Sequence, residues 1–323
     1  MVRLLVRYWF LLALLFVIIL AGVYPQIGEP NSTLVPAISV KVSIFLIFMI
    51  AGMGMHGELL ASASKDARSH FWIQANSFVI YPFVGLGCAY VLDWLIPEFP
   101  FYEGLIFACC VPMTISTAMI YAHRAGGDTA LSMVNSVLSN FLGIFITPAL
   151  VFIFLNQSGQ AVNFSTVFIK LCLLVVLPFI FGQALRWCYA SWLDRQQRWL
   201  GVISNIIVLF PVYLAFCEVF LGRGGSSNTV DFFVYALVSV VILWVIISCV
   251  TKKLGDFLWQ ERSKKVTFYF CGTHKSLAAG VSMGGLMFEG SAQISTVLLP
   301  VILLHPVQLL AGSVVVDRRK NIW

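Results

Sequence analysis

The sequence predicts an all-α membrane protein of ten transmembrane helices, and three observations carry that prediction. Of 323 residues, 60% are hydrophobic and only 11% are charged, and the mean hydropathy is +0.92, whereas soluble domains carry charge on about a quarter of their residues. Apolar runs of roughly 17 to 25 residues, the length that crosses a bilayer core, recur along the whole chain. Lysine and arginine gather at alternate ends of those runs, as they do in short cytoplasmic connections.

The runs lie near 8–25, 33–55, 71–95, 104–122 and 129–155, then near 163–187, 199–222, 230–251, 265–288 and 292–316. The opening "MVRLLVRYWFLLALLFVIIL" has a long apolar run with no A-x-A-like cleavage site after it, so it is expected to stay as helix 1. The connections are short and leave no room for a separate soluble domain.

Most of the twenty lysines and arginines fall on one side of this arrangement: Arg3, Arg7, Lys65, Arg68, Arg124, Arg186, Arg195, Arg198, Lys252, Lys253, Arg262, Lys264, Lys265, Arg318, Arg319 and Lys320. The opposite side holds Arg223 together with Glu29, Asp93, Glu98, Glu103, Asp231 and Glu289. Both termini are therefore expected in the cytoplasm, and the short tails suit a bacterial inner membrane. The net charge of +6 comes from this asymmetry. Its basic residues are scattered over six short segments, which argues against nucleic-acid binding. The eight cysteines have no ligand-type spacing beyond one adjacent pair, so neither a disulfide framework nor a zinc site is expected.

Ten helices divide into two halves, 1–156 and 157–323, and an odd number per half means that a duplicated unit inserts the second time upside down. One offset separates Thr147-Pro148 from His305-Pro306, and the same offset separates Ser116 from His274. Equivalent places in the two halves thus carry polar interruptions. In helix 4, "ACCVPMTISTAMIYAHRAGGD", Pro112 removes a backbone donor, and Thr114, Ser116 and Thr117 supply hydroxyls. In helix 9, "FCGTHKSLAAGVSM", Gly272 precedes Thr273, His274, Lys275 and Ser276. Broken helices survive in hydrocarbon where they are buried in protein or line a cavity. Their meeting point is the candidate binding site. In ordinary helices the same hydroxyls bond back to the preceding turn and merely bend it.

Lys275 is the stronger signal. A lysine at mid-bilayer costs about 2.5 to 3.5 kcal/mol even on insertion scales, so it must face the interior and have a partner. Glu218, a bound anion and carbonyls freed in helix 4 are the candidates. His274 fits either a ligand role or hydrogen-bonded packing. Lys41 and Lys170 lie closer to helix ends, where the second can snorkel to an interface. On helix 5, Ser132, Asn135, Ser136, Ser139 and Asn140 recur at three- and four-residue spacing and share one face. Asn135 and Ser136 are expected as ligands, whereas Ser132 and Ser139 suit interhelical contact. Helix 3 adds Gln74, Asn76 and Ser77 ahead of Pro82.

No enzyme is expected, since His274 and Ser276 at i,i+2 do not face each other on a helix and no H-E-x-x-H motif is present.

"FCGTHKSLAAGVSM", "VNSVLSNFLGIFITP" and "HPVQLLAGSVVV" resemble the bile acid:sodium symporter family over nearly the full chain, and within it the SBF-like branch. That branch contains bacterial proteins and an outlying eukaryotic member linked to calcium regulation. The resemblance implies two inverted repeats, a panel domain of helices 1, 2, 6 and 7, a core of helices 3 to 5 and 8 to 10, and broken helices 4 and 9 that cross. It also implies a secondary transporter of a small organic anion, monomeric or dimeric. The alternative function it implies is a non-transporting regulator of calcium homeostasis.

Carried over by motif, the family's sodium ligands fall at Ser116 and Thr117 on helix 4, at Ser132 and Ser136 on helix 5, and at Ser77 on helix 3. On helix 9 the sequence departs from the family: the shared glutamate becomes Phe270 and the asparagine becomes Lys275. A site that has lost a carboxylate and gained an ammonium repels sodium where water is scarce. The expectation is that no cofactor is needed and that Lys275 takes the place of the sodium ion, giving sodium-independent or proton-coupled transport.

Overall fold

The computed structural model describes residues 2–29, 32, 36–54, 66–97, 99–155, 169–170, 172–221, 229–289, 291 and 293–318. Lys65, Glu98, Arg223, Arg319 and Lys320 of the charge argument lie outside them. Described helix lies within each of the ten apolar ranges. In order these are α1 (Val2–Val23), α2 (Pro36–Gly54), α3 (Ala67–Ala75), α4 (Tyr81–Leu95), α5 (Tyr102–Cys110) and α6 (Ser116–Ala125). They are followed by α7 (Thr129–Leu155), α8 (Leu177–Phe220), α9 (Thr229–Leu258), α10 (Arg262–Thr273), α11 (Leu277–Met287) and α12 (Ile294–Asp317). Among the described residues there is no β-strand beyond one isolated bridge.

Among the described residues six helical segments are long and apolar enough to cross a membrane: Ala67–Leu95, Thr129–Leu155, Cys172–Gln196, Trp199–Phe220, Asp231–Leu258 and Ile294–Asp317. Trp9–Val23, Ile38–Gly54 and Leu277–Met287 are shorter apolar helices. The sequence ranges of helices 4 and 9 are each split in two, as α5 with α6 and α10 with α11. Large apolar side chains such as Phe16, Ile19, Phe83, Trp94 and Phe181 stand exposed on the helices, as a lipid solvent requires. The protein is an integral, multi-pass membrane protein.

One boundary differs from the sequence expectation. The connection placed between helices 6 and 7 is itself helical, because 188–198 contains neither glycine nor proline to stop it. Two helices meet there across a kink at Tyr189, whose φ of −127° and ψ of 30° leave the helical region.

The chain forms two compact units. The first collects Met1–Met55, Asn163–Phe233 and Val281–Leu299. Within it α2 packs on α8 so closely that a Cβ at Gly52 or Gly182 would overlap the backbone of the other helix, the small-residue contact that lets membrane helices associate. Arg186 closes that junction, donating to Met53 O at 2.8 Å and to Asp194 at 2.6 Å. Ile50, Met53 and Leu193 fill the adjoining core.

The second unit collects His56–Val162, Val234–Gly280 and Pro300–Trp323. Its apolar clusters draw on the first break and on α6 and α10. Ile73, Met113, Leu131, Phe268 and Cys271 form one cluster, and Tyr121, Ala122, Tyr269, Phe270 and Val316 form another. The polar centre described next lies within this unit.

Candidate functional site

Two helix breaks put unpaired backbone groups in the interior, and each such group must find a partner or cost roughly 1–3 kcal/mol. In the first break α5 ends at Cys110, Val111 turns to extended geometry (φ −71°, ψ 153°), and helix resumes at Ser116. In the second, α10 ends at Thr273, His274 is extended (φ −112°, ψ 108°), and helix resumes at Leu277. The two gaps satisfy each other. Met113 and Lys275 pair as a short antiparallel bridge, in which Thr114 N donates to His274 O at 3.1 Å and Ser276 N donates to Pro112 O at 2.8 Å.

Side chains meet much of the remaining demand. From α7, Thr147 donates to Cys110 O at 2.8 Å, Ser139 Oγ accepts from Met113 N at 3.1 Å, and Asn140 donates to Met113 O at 2.8 Å. From α12, Gln308 acts as a surrogate peptide group, accepting from Lys275 N at 2.9 Å and donating to Lys275 O at 2.6 Å. Ser276 Oγ accepts from Ala279 N at 3.2 Å and so caps α11. Asn76 reaches Gly272 O at 3.3 Å, and a Cβ at Gly272 would overlap that amide. Glycine is thus required there by close approach.

A third irregularity lies in the predicted helix 3. Between α3 and α4 the chain makes a π turn, Asn76–Ile80, in which Tyr81 N donates to Asn76 O. In the same register Ser77 O looks for an N–H at position 82, which is proline and has none. Ser77 O is therefore free to accept from elsewhere.

Lys275 uses these freed oxygens. Its Nζ donates to Ser77 O at 2.8 Å, to Val111 O at 2.8 Å and to Ser77 Oγ at 3.2 Å. An ammonium has three donors, and here they meet three acceptors. The Nζ also sits 4.5 Å from the centroid of the Tyr81 ring and 5.7 Å from that of Phe78, within cation–π range. Only 3% of the residue is exposed. Of the partners offered by the sequence, the freed carbonyl of the first break is the one used, joined by Ser77.

His274 is fully buried beside this centre. Thr273 gives its hydroxyl proton to Tyr269 O, so the 3.0 Å contact between Thr273 Oγ1 and His274 Nδ1 needs the proton on Nδ1. His274 Nε2 has no hydrogen-bond partner and points at Gly312, where a Cβ would lie 2.7 Å from it. The ring packs against Tyr121 and Phe270.

Ser77, Thr114, Thr273, His274, Lys275 and Ser276 are thus brought to the paired breaks. On α7, Ser132, Asn135, Ser136 and Ser139 all point inward. Ser132 contacts Cys271 Sγ at 3.3 Å. Asn135 accepts from Gln74 at 3.1 Å, while Ser136 Oγ and Thr117 Oγ1 are buried without a hydrogen-bond partner. Ser116 stands exposed at the first turn of α6 and takes no part in the lysine's network. Sequence reasoning missed Gln308 and Tyr81. Gln308 had a signal, a polar residue one helical turn beyond His305 in an apolar helix, and Tyr81 had none beyond its place before Pro82.

Among the described residues no group of three or more His, Cys, Asp or Glu side chains converges as a metal site. Carbonyl and hydroxyl oxygens freed by broken helices, a cation among them, and surrounding apolar helices form an arrangement found in membrane transporters. Comparison with known proteins agrees. The model of the SBF-like CPA transporter family matches residues 8–321. Sodium/bile acid cotransporter 7-B of Xenopus laevis is 31% identical over 97% of this chain and 92% of its own length. Sodium/bile acid cotransporter 7 of Danio rerio is 31% identical over 97% and 94%, and YfeH of Escherichia coli (strain K12) is 28% identical over 97% and 92%. With the match spanning nearly every residue that builds the paired breaks, the chain belongs to the SBF-like branch of the bile acid:sodium symporter family, a family of membrane transporters.

Proposed function

We propose that the protein is a secondary transporter of a small organic anion, working by alternating access, in which Lys275 takes the electrostatic place of a sodium ion. The observation that carries this reading is the set of oxygens around Lys275 Nζ: two freed main-chain carbonyls and one hydroxyl, at 2.8, 2.8 and 3.2 Å, with no carboxylate in the set. Unwound carbonyls are what transporters use to hold a coupling cation. An ammonium tethered to the chain supplies that charge and leaves no vacancy for sodium to fill. Sodium is then neither required nor bound at this crossing, and protons become the coupling ion to test.

The reading includes the architecture that resemblance implies, with ten helices in inverted repeats 1–156 and 157–323 and a panel that rocks against a core. The division into compact units supports it, since one gathers the ranges of helices 1, 2, 6 and 7 with 281–299 and the other gathers helices 3 to 5 with most of 8 to 10. Its membrane is proposed as a bacterial inner membrane, with both termini cytoplasmic. Sodium and bile acid appear in the names of the vertebrate relatives, and the organic-anion class is carried over from them.

A cation that binds the folded state raises its melting temperature. Purified protein should therefore melt at the same temperature in sodium chloride and in choline chloride. A saturable, sodium-specific rise would overturn the substitution of lysine for sodium. In liposomes, Lys275→Gln should abolish uptake that wild-type protein supports under a pH gradient, and wild-type rates in that variant would remove Lys275 from the mechanism.

A further inference from the structure

A row of polar side chains leads along the predicted helix 3 to Lys275, and the network around the lysine uses only its last member. His70 and Gln74 lie four residues apart on α3 and therefore share a face. His70 keeps 9% of its surface exposed, while its Nδ1 is buried without a hydrogen-bond partner. Gln74 donates to Asn135 O at 3.0 Å and to Asn135 Oδ1 at 3.1 Å, and its own Oε1 is likewise buried and unpartnered. Three residues further on, Ser77 Oγ accepts from Lys275 Nζ at 3.2 Å. Ser136, next to Asn135 in the chain, adds another buried oxygen with no partner. From His70 to Ser77 the row spans about 10 Å of helix.

The charged groups around His70 are committed to one another. Asp66, one turn earlier, caps α3 and pairs with Lys264 of α10 at 2.8 Å, and Arg68 donates to Leu258 O at 3.1 Å. Lys252 of α9 pairs with Asp256 at 2.7 Å, and Lys265 of α10 reaches the same carboxylate at 3.5 Å. The remaining titratable groups of α10 are Arg262, Tyr269 and Cys271, whereas α7 and the π turn have none. His70 is the one imidazole on α3, α7, α9, α10 and the π turn. Buried polar groups without a protein partner bind bridging water, and histidine in such a row is a side chain with which membrane proteins relay protons.

We propose that His70 is the proton relay of Lys275, joining its Nζ to the charged end of helix 3 through water held by Gln74, Ser136 and Ser77. On the way out the Nζ–H bond breaks, the Ser77 hydroxyl and the bridging water pass the proton along, and a new N–H bond forms at His70 Nδ1 as the ring releases the proton on Nε2 to bulk water. Reprotonation runs through the same steps in reverse. What the route serves rests on the proton-coupled reading above, but the route itself does not.

The test is NMR of the full chain in nanodiscs, with isotope-labelled lysine and the Lys275 ammonium signal assigned by its loss in Lys275→Gln. The readout is the rate at which those ammonium protons exchange with water. His70→Gln should slow exchange about a hundredfold, the lower end of what one positioned acid–base group contributes. A merely structural role predicts the opposite sign, since loosened packing admits water and speeds exchange. Unchanged or faster exchange in His70→Gln overturns the proposal, as does equal slowing by His123→Gln, which replaces an imidazole outside the row that contacts Thr129. Gln74→Leu is an independent arm, because it should also slow exchange, and a wild-type rate there overturns the route. Slow exchange in both variants of a protein whose uptake ignores a pH gradient upholds the relay and defeats the proton-coupled reading instead.

Discussion

Lys275 and the Lys41–Lys170 pair solve the same problem in opposite ways. Lys275 is almost wholly buried and is held by two carbonyls, one hydroxyl and an aromatic face. Lys41 of α2 and Lys170, in the predicted helix 6, are 42% and 41% exposed in their side chains and are held by the carboxylate of Glu289. In the interior, partners must be fixed in advance, since an ion taken out of water without satisfied hydrogen bonds costs several kcal/mol. Backbone dipoles released by proline and by helix breaks provide that rigidity. Near the surface solvent shares the load, and a long, mobile glutamate is enough. The difference teaches that the deep lysine depends on partners fixed by the architecture, while the shallower pair is held by a single flexible carboxylate.

The sharpest way to break this contrast is Lys275→Met. It leaves Ser77 O and Val111 O buried without a donor, at roughly 1–3 kcal/mol each, and should produce the largest fall in melting temperature of any single change named here. A melting temperature within a degree of wild type would show that the carbonyls have another donor. Next comes Gly272→Ala. Its Cβ would strike the Asn76 amide and lie 2.8 Å from Thr251 Cγ2, and overpacking of this kind costs about 1–3 kcal/mol. Guanidinium or thermal unfolding that matched wild type would mean that helix 3 yields more easily than its contacts imply.

Asn140→Ala and Thr147→Val each leave one carbonyl of the first break unpaired, at about 1–2 kcal/mol. Their combination with Lys275→Met should be non-additive, because all three groups hold the same five-residue gap. Strict additivity would show that the break is not a single network.

Glu289→Gln should have the smallest effect on stability, within about 1 kcal/mol and shrinking in high salt, as half-exposed ion pairs do. Its pH dependence has a definite sign. Burial tends to raise the pKa of Glu289, but hydrogen bonds and positive charge from Lys170 and Lys41 outweigh that and hold it below the ordinary 4.5. A depressed carboxylate pKa gives stability that is complete above about 4.5 and is lost as the pH falls through the lowered value. Wild type and Glu289→Gln should therefore differ at neutral pH and converge in acid. Asp66, lowered despite its burial by Lys264 and Ser69, should behave the same way when replaced by Asn. Curves that diverged towards low pH would contradict both assignments.

Much of this was legible in advance. Pro112 and Gly272 announced two breaks, and Lys275 announced an interior charge, because each residue type carries its constraint wherever it lies in a helix. The row from Ser132 to Asn140 showed its inward face through spacing alone, although Ser139 and Asn140 rather than Ser136 proved to stitch the first break. Ser116 looked equivalent to its neighbours in sequence and is exposed in the fold. Spacing cannot distinguish two hydroxyls on adjacent residues once the helix that would orient them has been interrupted.

By itself the sequence determined that the chain is built of apolar helices suited to a membrane, where two of them fail as helices, and that one lysine must live inside, since these follow from transfer energies and missing backbone donors. Only the tertiary structure decided what that lysine holds. Ser77 and Val111 lie 198 and 164 residues from it along the chain, and Gln308 lies 33 residues away in another helix. Such partners are chosen by which freed carbonyls the packing brings within hydrogen-bond reach, and no local pattern records that choice.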